Sequence, residues 1–257
     1  MNIDFVILAA GKGTRMDGDS PKVLANLGGQ PMLQNLINTT NDFKHSKRIL
    51  VVGHKANEVK KQIKTTKKTD WVKQNKQLGT AHAVKQALPS LRKGSVSVIL
   101  YGDVPLVSPA TLKKLIGSAK SNNLALLTFN KENPSGYGRI VRKGRNTIDQ
   151  IVEEKDASTK QKEITEVNSG IMAIKSHLLS SLIPLVKNKN AAKEFYLTDI
   201  VELANKNKIS VKALLLKDNT EVLGANNSQE LHDLERAYQK RLAESLIKSG
   251  VQVVDSS

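Results

Sequence analysis

The sequence predicts an α/β fold with a mostly parallel sheet flanked by helices, on three observations. The first half alternates short β-branched runs with polar-apolar helical stretches, the candidate strands are apolar on both faces, and a glycine-rich turn leaves the first strand directly. Phe5 to Ala9, Arg48 to Val52, Asp70 to Val72 and Val96 to Leu100 read as strands. The segments around Met32 to Asn38, Ala56 to Lys64 and Thr80 to Ala87 read as the helices of βαβ crossovers. From Leu124 the pattern changes. Leu124 to Phe129, Gly138 to Arg142 and Thr147 to Val152, separated by turn-rich Asn133-Pro-Ser-Gly136 and Lys143-Gly-Arg-Asn146, read as hairpin strands of a second lobe, making the sheet mixed. Helices are expected at about Ser176 to Val186 and Thr198 to Asn205, then a strand at Val211 to Leu216.

A long last helix is expected from about Ser228 to Ser249, with Leu231, Leu234, Tyr238, Leu242 and Leu246 on one stripe and Gly250 as its stop. Asn227, followed three residues later by Glu230, reads as its start. The implied organisation is one domain over 1–227, including a hairpin lobe at about 124–175, and a helix and tail over 228–257.

With 257 residues and 39% hydrophobic side chains, the chain is long enough to bury a full core. Phe5 to Ala9 lacks a basic flank and a cleavage pattern, no apolar run approaches a membrane span, and there are no cysteines, so a cytoplasmic protein without membrane association is expected. The net charge of +16 invites a nucleic-acid reading. Its distribution argues against one: lysines lie along most of the chain, and aromatic residues are only 4%, too few for an evident base-stacking platform. Nucleotides and sugar phosphates are themselves anions, so the charge is compatible with either.

Three segments carry chemistry. Leu8-Ala-Ala-Gly-Lys-Gly-Thr-Arg-Met16 follows the first strand, where α/β folds bind ligands. It is neither a Walker loop nor a dinucleotide fingerprint, since Met16 stands at the third glycine position. Its small residues let backbone N–H groups approach phosphate oxygens, while Lys12 and Arg15 add positive charge. In Ser20-Pro-Lys22 the proline fixes the local backbone and could aim Lys22 at the same phosphates. At Leu100-Tyr-Gly-Asp-Val-Pro105 an apolar strand ends in Asp103, either a local turn cap or a ligand for Mg²⁺, which takes one or two protein oxygens and the rest from phosphate and water.

Together these segments resemble the sugar-phosphate nucleotidyltransferases, and specifically the uridylyltransferase half of the bifunctional GlmU enzymes. The resemblance also rests on Gln74-Asn-Lys-Gln-Leu-Gly-Thr-Ala-His82, Gly136-Tyr-Gly-Arg-Ile140, Ile151-Val-Glu-Glu-Lys-Asp156, Asn168-Ser-Gly-Ile171, Glu194-Phe-Tyr-Leu-Thr-Asp199 and Gly224-Ala-Asn-Asn227. It implies a Rossmann-like, GT-A-like nucleotidyltransferase fold with a β-hairpin sugar-binding lobe. It also implies a reaction: Mg²⁺-dependent in-line attack of N-acetylglucosamine 1-phosphate on the α-phosphorus of UTP, giving UDP-N-acetylglucosamine and pyrophosphate, with no protein nucleophile.

By that resemblance Leu8, Ala9, Ala10 and Gly11 would line the nucleotide pocket, with Gln74, Gly79 and Thr80 at the uracil edge. Arg15 and Lys22 would be the catalytic cations, and Asp103 and Asn226 the Mg²⁺ ligands. The sugar side would use Tyr101, Gly102, Asp103, Gly138, Glu153, Asn168 and Asn226, with Tyr196 and Thr198 nearby. Asn226 has a structural rival, because either asparagine could cap the last helix; the cap is assigned to Asn227 and the metal to Asn226. Glu153 could be a strand-end surface charge, with Glu154 as its decoy. The full family continues into a hexapeptide β-helix that trimerises and transfers acetyl groups, so neither acetyltransferase activity nor a β-helix trimer is expected of this chain. A sister transferase with a different base or sugar would keep the loop, Lys22 and Asp103, and a basic nucleic-acid-binding module is the non-enzymatic alternative.

Overall fold

The computed structural model describes residues 1–11, 20–53, 55–144 and 147–254. Strand β1 (Ile3–Ala9) is buried along its whole length, so its alternating side chains must be covered on two faces. Phe5 and Ile7 belong to one apolar cluster, Val6 and Leu8 to another. A 3-10 turn at Lys22–Leu24 leads into the small hairpin β2 (Asn26–Leu27) and β3 (Gln30–Pro31), followed by α1 (Met32–Thr40). Then come β4 (Ser46–Val52), α2 (Ala56–Gln62), β5 (Thr69–Lys73), α3 (Thr80–Ala87), β6 (Val96–Tyr101) and α4 (Pro109–Ala119). The second half adds β7 (Leu124–Asn130), β8 (Arg139–Arg142), β9 (Ile148–Val152), α5 (Thr159–Lys162), β10 (Glu166–Lys175), α6 (Ser176–Leu182), α7 (Ile200–Lys206), β11 (Val211–Leu215) and α8 (Ser228–Lys248).

Among the described residues the main sheet runs β11-β7-β10-β6-β1-β4-β5, with the β8–β9 hairpin attached to β10. Strand β1 pairs in parallel with β4 on one side and β6 on the other, β4 with β5, and β7 with β11. Strand β10 is antiparallel to both β6 and β7. The mostly parallel mixed sheet predicted from sequence is what forms. Helices α1 and α4 supply Leu33, Leu36, Leu112 and Leu115 to one face, and α3, α6 and α7 supply Val84, Leu179 and Ile200 to the other. The chain winds outward from β1 to β5 and then returns to β6, on the opposite side of β1. That reversal opens a crevice at the carboxyl ends of β1 and β6, the switch point where open α/β sheets bind ligands.

Two expectations are corrected. Leu124 to Phe129 is not a strand of a peripheral lobe: β7 lies inside the main sheet, between β11 and β10. Its apolar run explains why, because Leu124 and Leu126 enter one core cluster while Ala125, Leu127 and Phe129 enter the other, and an edge hairpin cannot cover both faces. Within strand β10 the register breaks between Asn168 and Met172, and Gly170 adopts φ 84°. The predicted stripe of α8 is packed over only part of its length. Leu234 is fully buried beside Leu27, Met32, Leu106 and Ala225, whereas Leu242 and Leu246 are 49% and 40% exposed. Truncating Leu234 to alanine is therefore expected to cost about 2–5 kcal/mol. Leu242→Ala should cost less than about 0.5 kcal/mol, both being read from urea unfolding midpoints.

Candidate active site

The crevice holds a cavity of about 410 Å³ whose walls come from the loops after β1, β5 and β6 and from the turn before α8. Leu8, Ala9, Ala10, Gly11, Lys22, Gln74, Gly79, Thr80, Tyr101, Asp103 and Asn226 all line it. These residues span most of the sequence, and the parallel strand order brings them together. Arg15 lies outside the described residues, as do Lys12 and Met16.

The wall built by Gln74, Gly79 and Thr80 is rigid for identifiable reasons. Gln74 is 3% exposed, and its Nε2 donates to the Gly79 carbonyl at 3.2 Å and lies 3.0 Å from His82 Nδ1, which leaves its oxygen available to a ligand. Gln74 is therefore a buried wall residue. Gly79 has φ +113°, and a Cβ there would stand 2.5 Å from the Phe195 carbonyl oxygen. Only glycine fits this approach. The Phe195 segment is laced to it by Phe195 N–H to Leu78 O at 2.8 Å and Ala81 N–H to Phe195 O at 2.9 Å. Burial pushes the Tyr101 hydroxyl well above the usual tyrosine range, and Thr80 shares a hydrogen bond with it.

At the mouth of the cavity the Lys22 ammonium forms a close ion pair with the Asp103 carboxylate and donates to Asn226 Oδ1 at 2.7 Å. Sequence reading aims Lys22 at phosphate; here it binds the two oxygens expected to hold a cation. The helix cap falls where sequence reading places it. Asn227 Oδ1 accepts from Glu230 N–H at 2.8 Å, so Asn226 keeps its side-chain oxygen for Lys22.

A second cluster adjoins Tyr101. Gly138 O accepts from Asn168 N–H at 2.9 Å, and a Cβ on Gly138 would stand 2.8 Å from Ile151 and 3.5 Å from the Glu153 carboxyl. Asn168 is nine-tenths buried, and its Oδ1 finds no hydrogen-bond partner among the described residues, an acceptor left for something else to satisfy. Gly102 is buried and donates to the Leu8 carbonyl at 2.9 Å, bracing the loop from behind.

The two neighbouring glutamates separate cleanly. Burial raises Glu153 above the usual carboxylate range, aided by Asp156 and Glu194 and opposed by the Thr198 hydroxyl that donates to it at 2.8 Å. Glu154 instead pairs with Arg139 at 2.7 Å and accepts from Gly136 N–H at 3.2 Å, and Arg139 holds it below that range. Glu153 is therefore the chemically available carboxylate, and Glu154 fastens the hairpin. Tyr196, beside the same carboxylates, is pushed up to about 12, by burial first.

Sequence reading passed over two polar wall residues, Gln77 and Glu194. Both sit inside segments that carry the resemblance, and the recurrence of Gln74 and Gln77 around one turn was the available signal.

The cleft at the switch point is thus lined by the small residues that end β1 and by a carboxylate–amide pair around the Lys22 ammonium, an arrangement that suits phosphorylated ligands. Residues 5–195 match the MobA-like NTP transferase domain, and the chain belongs to that family of nucleotidyltransferases. The resemblance read from the motifs is borne out: the chain is 45% identical over 255 residues to the bifunctional protein GlmU of Idiomarina loihiensis, covering 99% of this chain and 56% of that protein. The GlmU of Dechloromonas aromatica is 46% identical over 253 residues, with 98% and 56% covered. The chain thus spans about half the length of these relatives. In overall fold it is similar to a UDP-glucose pyrophosphorylase solved with UDP-glucose, at a TM-score of 0.76 and 16% identity, over 94% of this chain and 100% of that one. Among the described residues no helix is long and apolar enough to cross a membrane.

Asp199, at the edge of the second cluster, gives a pH test. Burial, with Glu153, Glu202 and Asp156 around it, raises it to about 6. The native state then holds a proton that the unfolded state has released, so this group's contribution to stability falls as pH rises from roughly 4, the ordinary aspartate value, toward 6. Asp199→Asn should raise the melting temperature at pH 7, and the gain should vanish as pH is lowered to about 4 in a calorimetric series.

Proposed function

We propose that the chain is a uridylyltransferase that makes UDP-N-acetylglucosamine and pyrophosphate from UTP and N-acetylglucosamine 1-phosphate. The observation that carries this reading is the convergence of Lys22, Asp103 and Asn226 at the mouth of a cavity walled by Leu8, the small residues Ala9 to Gly11, and Gln74, Gly79 and Thr80. The sugar phosphate's oxygen would attack the α-phosphorus, forming the new O–P bond as the bond to the β-phosphate breaks and pyrophosphate leaves.

The residues fit such a reaction. Gln74, with its Nε2 engaged by Gly79 and His82, offers an acceptor to the imide N–H of uracil. Glu153 and Asn168 Oδ1, which has no partner among the described residues, would receive sugar hydroxyl or acetamido hydrogens. Mg²⁺ suits the pair Asp103 and Asn226, because those two oxygens already surround one positive charge and the ion needs few protein ligands. When bound there it would supply charge neutralisation for two anions that repel each other and for the charge that grows on the leaving group. Lys22, released from the pair, would share that task from the phosphate side, together with Arg15. Catalysis on this reading is positioning plus electrostatics, and needs no protein nucleophile.

Pyrophosphate release with UTP, N-acetylglucosamine 1-phosphate and Mg²⁺ is the test, run beside other nucleoside triphosphates and other sugar phosphates. Selective release should fall on the order of 100-fold in Asp103→Ala, a loss of about 2.7 kcal/mol in transition-state stabilisation. Release with a different pair only would reassign the substrates, and no release with any pair would overturn the reading. Lys22→Ala is expected to lower turnover while tightening Mn²⁺ binding to the nucleotide-free protein, since a competing cation is removed from Asp103 and Asn226. Calorimetric Mn²⁺ titration checks it.

A further inference from the structure

Glu230 stands in the first turn of α8 and has no part in the reading above. Its carboxylate accepts three hydrogen bonds from the two residues that precede the helix. Oε2 takes the Asn226 N–H at 2.7 Å and Asn226 Nδ2 at 2.9 Å, and Oε1 takes Asn227 Nδ2 at 3.2 Å. A capping box joins a glutamate only to the cap residue three positions earlier. Here the same carboxylate reaches one residue farther back and grips a side chain that is not part of the cap.

The consequence follows from donor and acceptor inventory. An ionised carboxylate can only accept, so Asn226 must turn its NH₂ group toward Glu230. The amide is planar, and its oxygen then faces the opposite way, where it meets the Lys22 ammonium. With the amide reversed, two N–H groups would face that cation and repel it. Asn226 is exposed, and Glu230 and Lys22 are the partners its side chain has among the described residues. Its backbone has supports besides Glu230: Ala225 is fully buried, and a Cβ on Gly224 would stand 3.0 Å from the Asp103 carbonyl oxygen. The turn therefore rests against the Asp103 loop, and the carboxylate of Glu230 decides which face of the amide that turn presents.

We propose that Glu230 is a positioning residue for the cation centre: it fixes the amide of Asn226 so that Asn226 Oδ1 and the Asp103 carboxylate arrive as an organised oxygen pair. This rests on the reading of Asp103 and Asn226 as the cation-holding pair. Outer groups that orient a ligand also raise its basicity, and their loss typically weakens metal affinity by about 10- to 100-fold. A helix cap alone would change stability and leave cation affinity untouched.

The experiment measures Mn²⁺ binding to the full chain by loss of the free-ion electron paramagnetic resonance signal, with and without UTP, beside thermal unfolding. Glu230→Ala should weaken Mn²⁺ binding by about tenfold. Glu230→Asp keeps a charge in the first turn but is one methylene short, so it should lose Mn²⁺ affinity while staying close to the unaltered protein in melting temperature. Glu230→Gln keeps an acceptor for Asn226 Nδ2 and should restore binding. Asn226→Asp presents an oxygen on either face, so adding Glu230→Ala to it should weaken Mn²⁺ no further. Unchanged Mn²⁺ affinity in folded Glu230→Ala or Glu230→Asp, or an equal loss in the Asn226→Asp background, would overturn the proposal. If the unaltered protein binds Mn²⁺ but releases no pyrophosphate, the substrate reading fails and the Glu230 result stands by itself. If it binds no Mn²⁺ even with UTP, the positioning role falls together with the cation reading.

Discussion

Burial of β1 on both faces, with parallel neighbours on both edges, is the constraint on which the rest of the structure depends. Because β4 pairs on one side of β1 and β6 on the other, the turns that leave β1 and β6 emerge side by side at the same end of the sheet. The register fixes how closely: Leu8 stands opposite Tyr101, so Ala9 to Gly11 and Gly102 to Asp103 continue from adjacent positions. The apolar residues that make β1 a central strand thus also deliver backbone amides and a carboxylate to one crevice. A strand at the sheet edge could not do this, since it would have a neighbour on one side only.

Charge in this crevice is arranged by position more than by number. The chain carries 40 lysines and arginines, yet at the mouth of the cavity it is Lys22 that is held, between a carboxylate and an amide oxygen. The second cluster has the opposite character: burial raises both Glu153 and Asp199, and Glu153 adds to the rise of Asp199. Such carboxylates bear charge at a cost and favour partners that donate hydrogen bonds, as polyhydroxylated ligands do. A cation-holding mouth beside a donor-seeking cluster suits a ligand that is anionic at one end and hydroxylated at the other.

The α8 helix connects these features to the outer shell. It is anchored by Leu234 in a small cluster with the β2–β3 hairpin, and its first turn supplies both the cap at Asn227 and the carboxylate of Glu230. One short sequence, Asn226 to Glu230, therefore ends a loop, begins a helix and sets the face of a side chain at the site. The exposed Leu242 and Leu246 show that the apolar stripe is longer than the body it packs against.

Most of the residues that line the cavity were legible only through the family resemblance, whereas the sequence by itself determined the alternation of strands and helices in the first half and the small residues that end the first strand. Each is a local property: β-branched runs, small residues and turn formers act within a few positions of the chain. The cap at Asn227 was legible for the same reason, since its partner lies three residues away. Tertiary structure decided what depends on distant neighbours. It placed Leu124 to Asn130 inside the sheet, because a strand apolar on both faces needs covering on both, and it set Asn168 opposite Thr128 of β7 just before the register break. It separated Glu153 from Glu154 by giving Arg139 to one of them. It brought Lys22 to Asp103 and Asn226 across 81 and 204 residues of chain. No pattern in the sequence encodes such meetings directly, because electrostatic partners are chosen by proximity in space, and that proximity is created by the burial of the strands between them.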